Sequence, residues 1–264
     1  MSLSEAVRQW LRTTVGPFEE GPARSAAVRI ELSDGAYWVK RYRSGRAWVQ
    51  SERAFGVVVP SLDRAGVPVP RCRAASRDLR VRVLSTVPGR PATMEDPPEV
   101  FAAAAQILLH ARRIPCVQDP MPLGEAMHQR TVAWAMRPSA PVSAPAILEW
   151  VEAHRPLLDD VRVWCHRDFH PRNWLRDGDA LGLVDFEHTR PDHPLVDWVR
   201  LEAAGWSPAQ RSAFVDVLGE PDELALRGNL AVYGLATWVW AREHRDVTLG
   251  RIGHRALELA DFAP

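Results

Sequence analysis

Residues 166–188 read HRDFHPRNWLRDGDALGLVDFEH, and this stretch decides the fold. It follows one apolar run, VRVWC at 161–165, and closes on another, LGLVDF at 181–186, so a polar loop stands between two strand-like segments joined through a turn at Asp177 to Asp179. Within it His166, Asp168 and Asn173 form H-x-D-x4-N, and Asp185 ends the second apolar run. Moving a phosphoryl group to a hydroxyl needs such a set. One carboxylate orients the hydroxyl and takes its proton, while a neutral oxygen and a second carboxylate hold magnesium, an ion that prefers hard oxygens. The same spacing would suit a polar hairpin loop with satisfied carboxylates. However, asparagine occurs only at Asn173 and Asn229 in the whole chain, which makes coincidence the poorer reading.

Upstream, the chain reads as a small sheet. AAVRIELS (26–33) places Val28, Ile30 and Leu32 at the period of a half-buried strand, and Asp34-Gly35 supplies a tight hairpin turn. AYWVKRYR (36–43) returns as the partner strand, carrying Lys40. A helix is expected from about Ala47, containing Glu52 and ending or kinking at Pro60. LRVRVLSTV (79–87) is another strand. The opening MSLSEAVRQWLRTTVG reads as an amphipathic helix capped by Ser2 or Ser4, not as a signal peptide.

Downstream, PPEVFAAAAQILLHARR (97–113), GEAMHQRTVAWAM (124–136) and APAILEWVEAHRPLL (144–158) have helical spacing. Three or four more helices follow residue 188, one opened by Ser207-Pro208. The expected class is α+β and bilobal. Residues 1–88 would form a small antiparallel-sheet lobe with one helix, ending in a connector near Ser85 to Pro88, and residues 89–264 a larger, mainly helical lobe.

Composition narrows the function. The net charge is zero over 264 residues, which gives no sign of nucleic acid or an anionic membrane as partner. Through Pro88 there are 15 basic and 8 acidic residues, and the remainder is correspondingly acidic. Cys72, Cys116 and Cys165 have no metal or disulfide spacing, and a reducing cytoplasm fits. The longest apolar runs are about half a membrane span. Lys40 is the only lysine among 33 basic residues.

These residues resemble the aminoglycoside phosphotransferase-like family, a branch of the protein-kinase superfamily. CHRDFHPRNWL (165–175) is similar to that family's catalytic loop, and LGLVDFEHTRPDHPLVDW (181–198) to its metal-binding segment, where D-F-E replaces the D-F-G of protein kinases. The resemblance implies a kinase-like fold with Asp168 as catalytic base and Asn173 and Asp185 as Mg²⁺ ligands. It also implies His166 as organiser of the loop and Asp197 as a structural carboxylate on the loop backbone. Lys40 stands where kinases place the lysine that contacts the α- and β-phosphates, with Glu52 as its expected partner. VLSTVPG (83–89) is similar to the interlobe hinge, where the backbone around Ser85 and Val87 would bind a purine. The similarity spans roughly residues 25–205. Two departures stand out: GPFEEGPARS (16–25) is no Gly-rich loop, so that phosphate grip is either looser or supplied by Ser25 and its neighbours, and Arg167 replaces the usual glycine.

Only eleven residues separate Asp185 from Asp197, too few for the platform that holds a peptide, so no protein substrate is expected. A small hydroxylated acceptor would meet the late helices. Their acids suit a cationic molecule such as an aminoglycoside, and their tryptophans offer flat faces. Glu202, Trp238, Trp240 and Glu243 are the residues singled out for it, with packing as the alternative for both tryptophans. The expected function is transfer of the γ-phosphoryl of ATP, with GTP left open, to an antibiotic hydroxyl. A metabolic kinase for a sugar, amino alcohol or amino acid would use the same residues. A non-catalytic nucleotide-binding protein is the third reading, against which stands the retention of Asp168, Asn173 and Asp185.

Overall fold

The structure is a computed structural model and describes residues 3–24, 27–158 and 161–262. Ser2 and Ser25, named above for capping and phosphate grip, lie outside the described residues.

Helix α1 (Glu5–Thr14) buries Val7 and Leu11 along one stripe. Strands β1 (Glu19–Arg24), β2 (Ala27–Leu32) and β3 (Gly35–Arg41) follow. Leu32 is in register with Gly35, so the turn residues are Ser33 and Asp34, one position earlier than expected; Gly35, at φ +138°, begins the returning strand. Helix α2 (Gly45–Arg53) starts on Ser44, whose hydroxyl accepts from the Ala47 amide at 3.1 Å. It does not stop at Pro60. A π-turn over Ala54–Val58 leads into α3 (Val59–Arg64), which places Pro60 in a first turn that needs no intrahelical donor.

Strands β4 (Cys72–Ser76), β5 (Val81–Ser85) and β6 (Arg90–Pro91) complete this part. The five-stranded sheet runs β1-β2-β3-β5-β4, antiparallel throughout. Neither edge strand was foreseen. β1 contains Gly21 and Pro22, which a sheet tolerates only at an edge or bulge, and both β1 and β4 carry a register shift. The inner face (Val28, Ile30, Val39, Val81, Val83) packs on Leu3, Val7 and Leu11.

The chain continues through α4 (Pro98–Arg112), α5 (Leu123–Ala135), α6 (Ala144–His154) and β7 (Val163–Cys165). Strands β8 (Trp174–Asp177) and β9 (Ala180–Leu183) form the expected hairpin, and β10 (Arg190–Asp192) follows. Helices α7 (Trp198–Ala204), α8 (Pro208–Leu218), α9 (Glu223–His244) and α10 (Val247–Leu259) end the fold. Ser207 opens α8 with a capping box shared with Gln210, and Pro208 takes the first helical turn.

Contacts divide the chain into two compact units, residues 1–93 with 171–190, and 94–170 with 191–264. This division differs from the boundary at residue 88, because the β8–β9 hairpin belongs with the sheet. Arg90 and Pro91 pair with Arg176 and Leu175, and the Ala92 amide donates to the Trp174 carbonyl at 2.8 Å. On the hairpin's other strand the Leu183 amide donates to the Pro68 carbonyl at 2.9 Å. Gly182 makes this approach possible: a Cβ there would lie 2.8 Å from both the Pro68 oxygen and the Val87 side chain. The second unit is built round α9, whose Leu230, Ala231, Leu235 and Val239 share a core with Ile147, Val151, Val199 and Leu257. No helix among the described residues is long and apolar enough to cross a membrane.

Candidate active site

In the first unit, the hairpin brings two of the expected ligands to one end. Trp174 pairs with Leu183, and the Asn173 carbonyl accepts from the Val184 amide at 3.0 Å, so Asn173 and Asp185 sit together where the ladder opens. Asp185 adopts the left-handed conformation (φ +71°), which aspartate tolerates better than most residues. Phe186 is buried beyond it, edge-on to Phe55 at 6.2 Å.

The Lys40 ammonium forms an ion pair with Asp185 and lies 3.3 Å from Glu187. Burial works against its charge, but Asp185 and Glu187 outweigh burial and raise the Lys40 pKa above the ordinary lysine value. Asn173 and Asp185 offer hard oxygens, a donor set that fits Mg²⁺, which takes its remaining ligands from water and substrate phosphates. Among the described residues no group of three or more His, Cys, Asp or Glu could hold a metal ion.

Glu52 does not meet Lys40. Its carboxylate bonds Arg77 at 2.9 Å, which lowers its pKa. Helix α2 turns Trp48 and Ser51 toward the sheet, where Arg82 donates to Ser51 at 3.0 Å and lies over the rings of Trp48 and Phe55. Glu52, one residue further round the helix, is aimed elsewhere. Glu187 therefore takes the place expected of Glu52. The sequence carried that signal as the acid in D-F-E.

At the hinge, the Ser85 amide donates to the Arg71 carbonyl at 2.9 Å, and the Ser85 hydroxyl accepts from the Arg71 amide at 2.9 Å. Its backbone donor is used inside the sheet. Among the described residues the Val87 amide and carbonyl have no protein hydrogen-bond partner, while the side chain is buried over Gly182.

In the second unit, Asp197 holds the loop that follows β7. Its carboxylate accepts from the amides of His166 at 2.8 Å and Arg167 at 2.6 Å. Full burial raises its pKa, opposed by His166 and by those two amides. The His166 Nδ1 accepts from the Asp168 amide at 3.3 Å. One carboxylate oxygen of Asp168 meets Arg200 at 2.7 Å, and Arg200 also donates to the Arg167 carbonyl at 3.0 Å.

Arg167 occupies left-handed space (φ +64°), where the family's glycine would be free of strain. Its guanidinium forms a buried ion pair with Asp192 at 3.0 Å, and Arg130 grips the same carboxylate at 3.0 and 3.2 Å. Burial pushes Asp192 up, but Arg130 and Arg167 prevail and leave its pKa lowered; burial lowers that of Arg167. Sequence reasoning missed Arg200, Arg130 and Asp192. Arg130 and Asp192 lie 62 positions apart, and no local pattern joins them.

The acceptor residues are otherwise engaged. Glu202 accepts from Trp198 at 2.9 Å, Trp206 at 3.0 Å and Arg211 at 3.0 Å. Glu243 accepts from Nε and Nη2 of Arg137, each at 2.9 Å, and from Ser139 at 3.2 Å. Trp240 stacks on His244, and Trp238 lines an open groove dominated by arginines. These bonds count against Glu202 and Glu243 as acceptor ligands.

A sheet-based unit and a helical unit, with this loop and hairpin, define a protein-kinase-like phosphotransferase. The profile of the phosphotransferase enzyme family matches residues 14–242, and the chain belongs to that family; it is a small-molecule phosphotransferase. The fold is shared with the choline kinase LicA from Streptococcus pneumoniae (TM-score 0.73, 13% identity, covering 97% of this chain and 98% of that one). It is also shared with a macrolide 2'-phosphotransferase from Brachybacterium faecium (TM-score 0.64, 16% identity, 96% and 97%). A thermostable aminoglycoside phosphotransferase, in a ternary complex with ADP and hygromycin B, is a third likeness (TM-score 0.70, 12% identity, 98% and 98%). None of the curated proteins matches this chain in sequence.

Proposed function

We propose that the protein transfers the γ-phosphoryl group of ATP to a hydroxyl of a small molecule, with a hydroxylated antibiotic such as an aminoglycoside as acceptor. The observation that carries this reading is the β8–β9 hairpin, whose open end holds Asn173 and Asp185, with Lys40 paired to Asp185 and Glu187.

In this reading the Val87 backbone would meet the purine and Lys40 the phosphate oxygens, with Glu187 beside the ammonium to steady it. Mg²⁺, held by Asn173 and Asp185, screens the phosphate charge when bound. His166 positions the Asp168 backbone, and Arg200 pins one of its carboxylate oxygens. The Asp168 carboxylate orients the acceptor hydroxyl and takes its proton as the new P–O bond forms; the bond from the γ-phosphorus to the bridging oxygen breaks, and ADP leaves.

The short interval from Asp185 to Asp197 supports a small acceptor. An antibiotic acceptor draws support from the hygromycin B complex and the macrolide 2'-phosphotransferase among the fold's likenesses. A metabolic kinase is the second reading. Glu202 and Glu243 are each paired with an arginine, which weakens the case for a polycation, and a choline kinase shares the fold.

A screen with γ-labelled ATP across aminoglycosides, macrolides, choline, ethanolamine and sugars tests both. Transfer to an antibiotic is expected, and transfer confined to amino alcohols or sugars assigns the second reading. Asp168→Asn should cost roughly 10²–10⁴-fold in turnover with nucleotide binding retained. Near-full activity in that variant would remove Asp168 from the mechanism.

A further inference from the structure

The last two helices of the second unit border an open groove of about 760 Å³ whose lining includes none of the residues assigned above to phosphoryl transfer. Trp238 and Arg242 enter it from α9, one helical turn apart, Arg245 from the connection, and Arg251 and Arg255 from α10, again one turn apart. The groove has a fixed floor. A Cβ at Gly253 would fall 2.7 Å from the Trp238 backbone nitrogen, so α10 is pressed directly against α9 there.

Among the described residues none of these four guanidiniums has a carboxylate partner. Elsewhere in the same unit Arg130, Arg137, Arg155, Arg200, Arg211 and Arg227 each pair with one. The two acids in the lining are occupied: Asp246 caps α10 by accepting from the Leu249 amide at 2.9 Å, and Glu258 lies 3.4 Å from His254. Four cations thus face two engaged carboxylates. Crowding like charges on neighbouring turns is unfavourable without a counter-ion. The Trp238 ring adds a flat apolar face, with the Arg242 guanidinium 5.7 Å from its centre and the His254 ring tilted at 6.0 Å.

We propose that this groove is a second ligand site, for a small organic anion that joins a flat ring to phosphate or carboxylate groups. Its volume falls within the ~300–1,000 Å³ usual for small-molecule sites. Guanidinium forks match carboxylate and phosphate geometry and also stack on rings, so one lining serves both parts of such a ligand. A cationic acceptor would be repelled here. An extended polyanion would meet Glu243 and Glu258 on the exposed surface of the same helices.

The test uses the full chain, isotopically labelled, titrated with 1-naphthyl phosphate in magnesium-free buffer. The Trp238 indole N–H is the probe, assigned through Trp238→Phe, with calorimetry alongside. One site is expected, weakened by salt and weaker still for inorganic phosphate or 1-naphthol alone. The exposed double substitution Arg242→Gln with Arg251→Gln, its fold checked by circular dichroism, should weaken binding on the order of 10- to 100-fold. Lys40→Ala should bind the probe unchanged. Absence of binding, equal binding by the double variant, equal binding of 1-naphthol, or loss in Lys40→Ala would each overturn the proposal. Tighter binding of a short RNA, lost in the double variant, would overturn it in favour of a polymer.

Discussion

Arg200 bridges Asp168 to its own loop, with one terminal nitrogen 2.7 Å from the Asp168 carboxylate and the other donating to the Arg167 carbonyl at 3.0 Å. Both side chains are largely buried, so solvent screens the pair little. The cation therefore restricts where the carboxylate can point while keeping one oxygen occupied.

Arg200→Ala should lower kcat on the order of 10²-fold, the cost of a misplaced catalytic group, and leave the KM for ATP nearly unchanged. Arg200→Lys should recover part of the loss, since an ammonium can meet the carboxylate but cannot also span to the carbonyl. Steady-state kinetics checks the split. Unchanged kcat in the alanine variant would show that the pair has no part in turnover.

Lys40 and Glu187 should behave as one unit in nucleotide use. Lys40→Arg is expected to impair ATP binding despite the conserved charge, because a planar fork does not replace a compact ammonium. Glu187→Gln should give a smaller defect in the same direction. The double variant should fall short of additivity by about 0.5–3 kcal/mol in a double-mutant cycle. Glu52→Gln, at a carboxylate paired with the exposed Arg77 and not with Lys40, should leave nucleotide affinity intact.

Asp192 links stability to acid. Its folded pKa is held below the ordinary carboxylate value by Arg130 and Arg167. The unfolded chain therefore takes up the proton at a higher pH than the folded protein. The resulting stability is present above the unfolded value of about 3.9 and is lost as pH falls through the folded value. Asp192→Asn should cost about 3–5 kcal/mol at neutral pH, since it leaves Arg167 buried without a counter-charge. It should also flatten the decline at acid pH. Denaturant melts at neutral and acid pH measure both, and equal acid sensitivity in the variant would refute the linkage.

Gly182→Ala should destabilise the first unit by about 1–3 kcal/mol, because the methyl meets a backbone carbonyl that cannot rotate away. The same clash reaches Val87, so the KM for ATP should rise as well. Urea unfolding and ATP kinetics check the two effects. A silent substitution would mean that the hairpin shifts freely beneath the hinge.

Much of this molecule was legible from residue order. Alternation in 26–33, the helical periods of 97–113 and the capping signal at Ser207 each reflect local backbone preference, and each element formed. Edge strands β1 and β4 were illegible because Gly21 and Pro22 in one, and Ala74 and Ala75 in the other, suppress strand propensity, and pairing with β2 and β5 supplies what propensity does not. Pro60 misled for a related reason: the stop it imposes on a regular α-helix is bypassed by the π-turn before it.

The spacing of His166, Asp168, Asn173 and Asp185 was readable from residue order, because position along a loop and hairpin is a local property of the chain. Which charges meet depends on packing between distant segments. Glu187 rather than Glu52 stands with Lys40, Arg200 stands with Asp168, and Arg167 and Arg130 share Asp192. Packing also bound Glu202 to Trp198, Trp206 and Arg211, and paired the exposed Glu243 with Arg137. The reason is physical. An ion pair forms wherever packing brings two side chains within reach, and the energy that holds it depends on burial, which sequence distance does not encode.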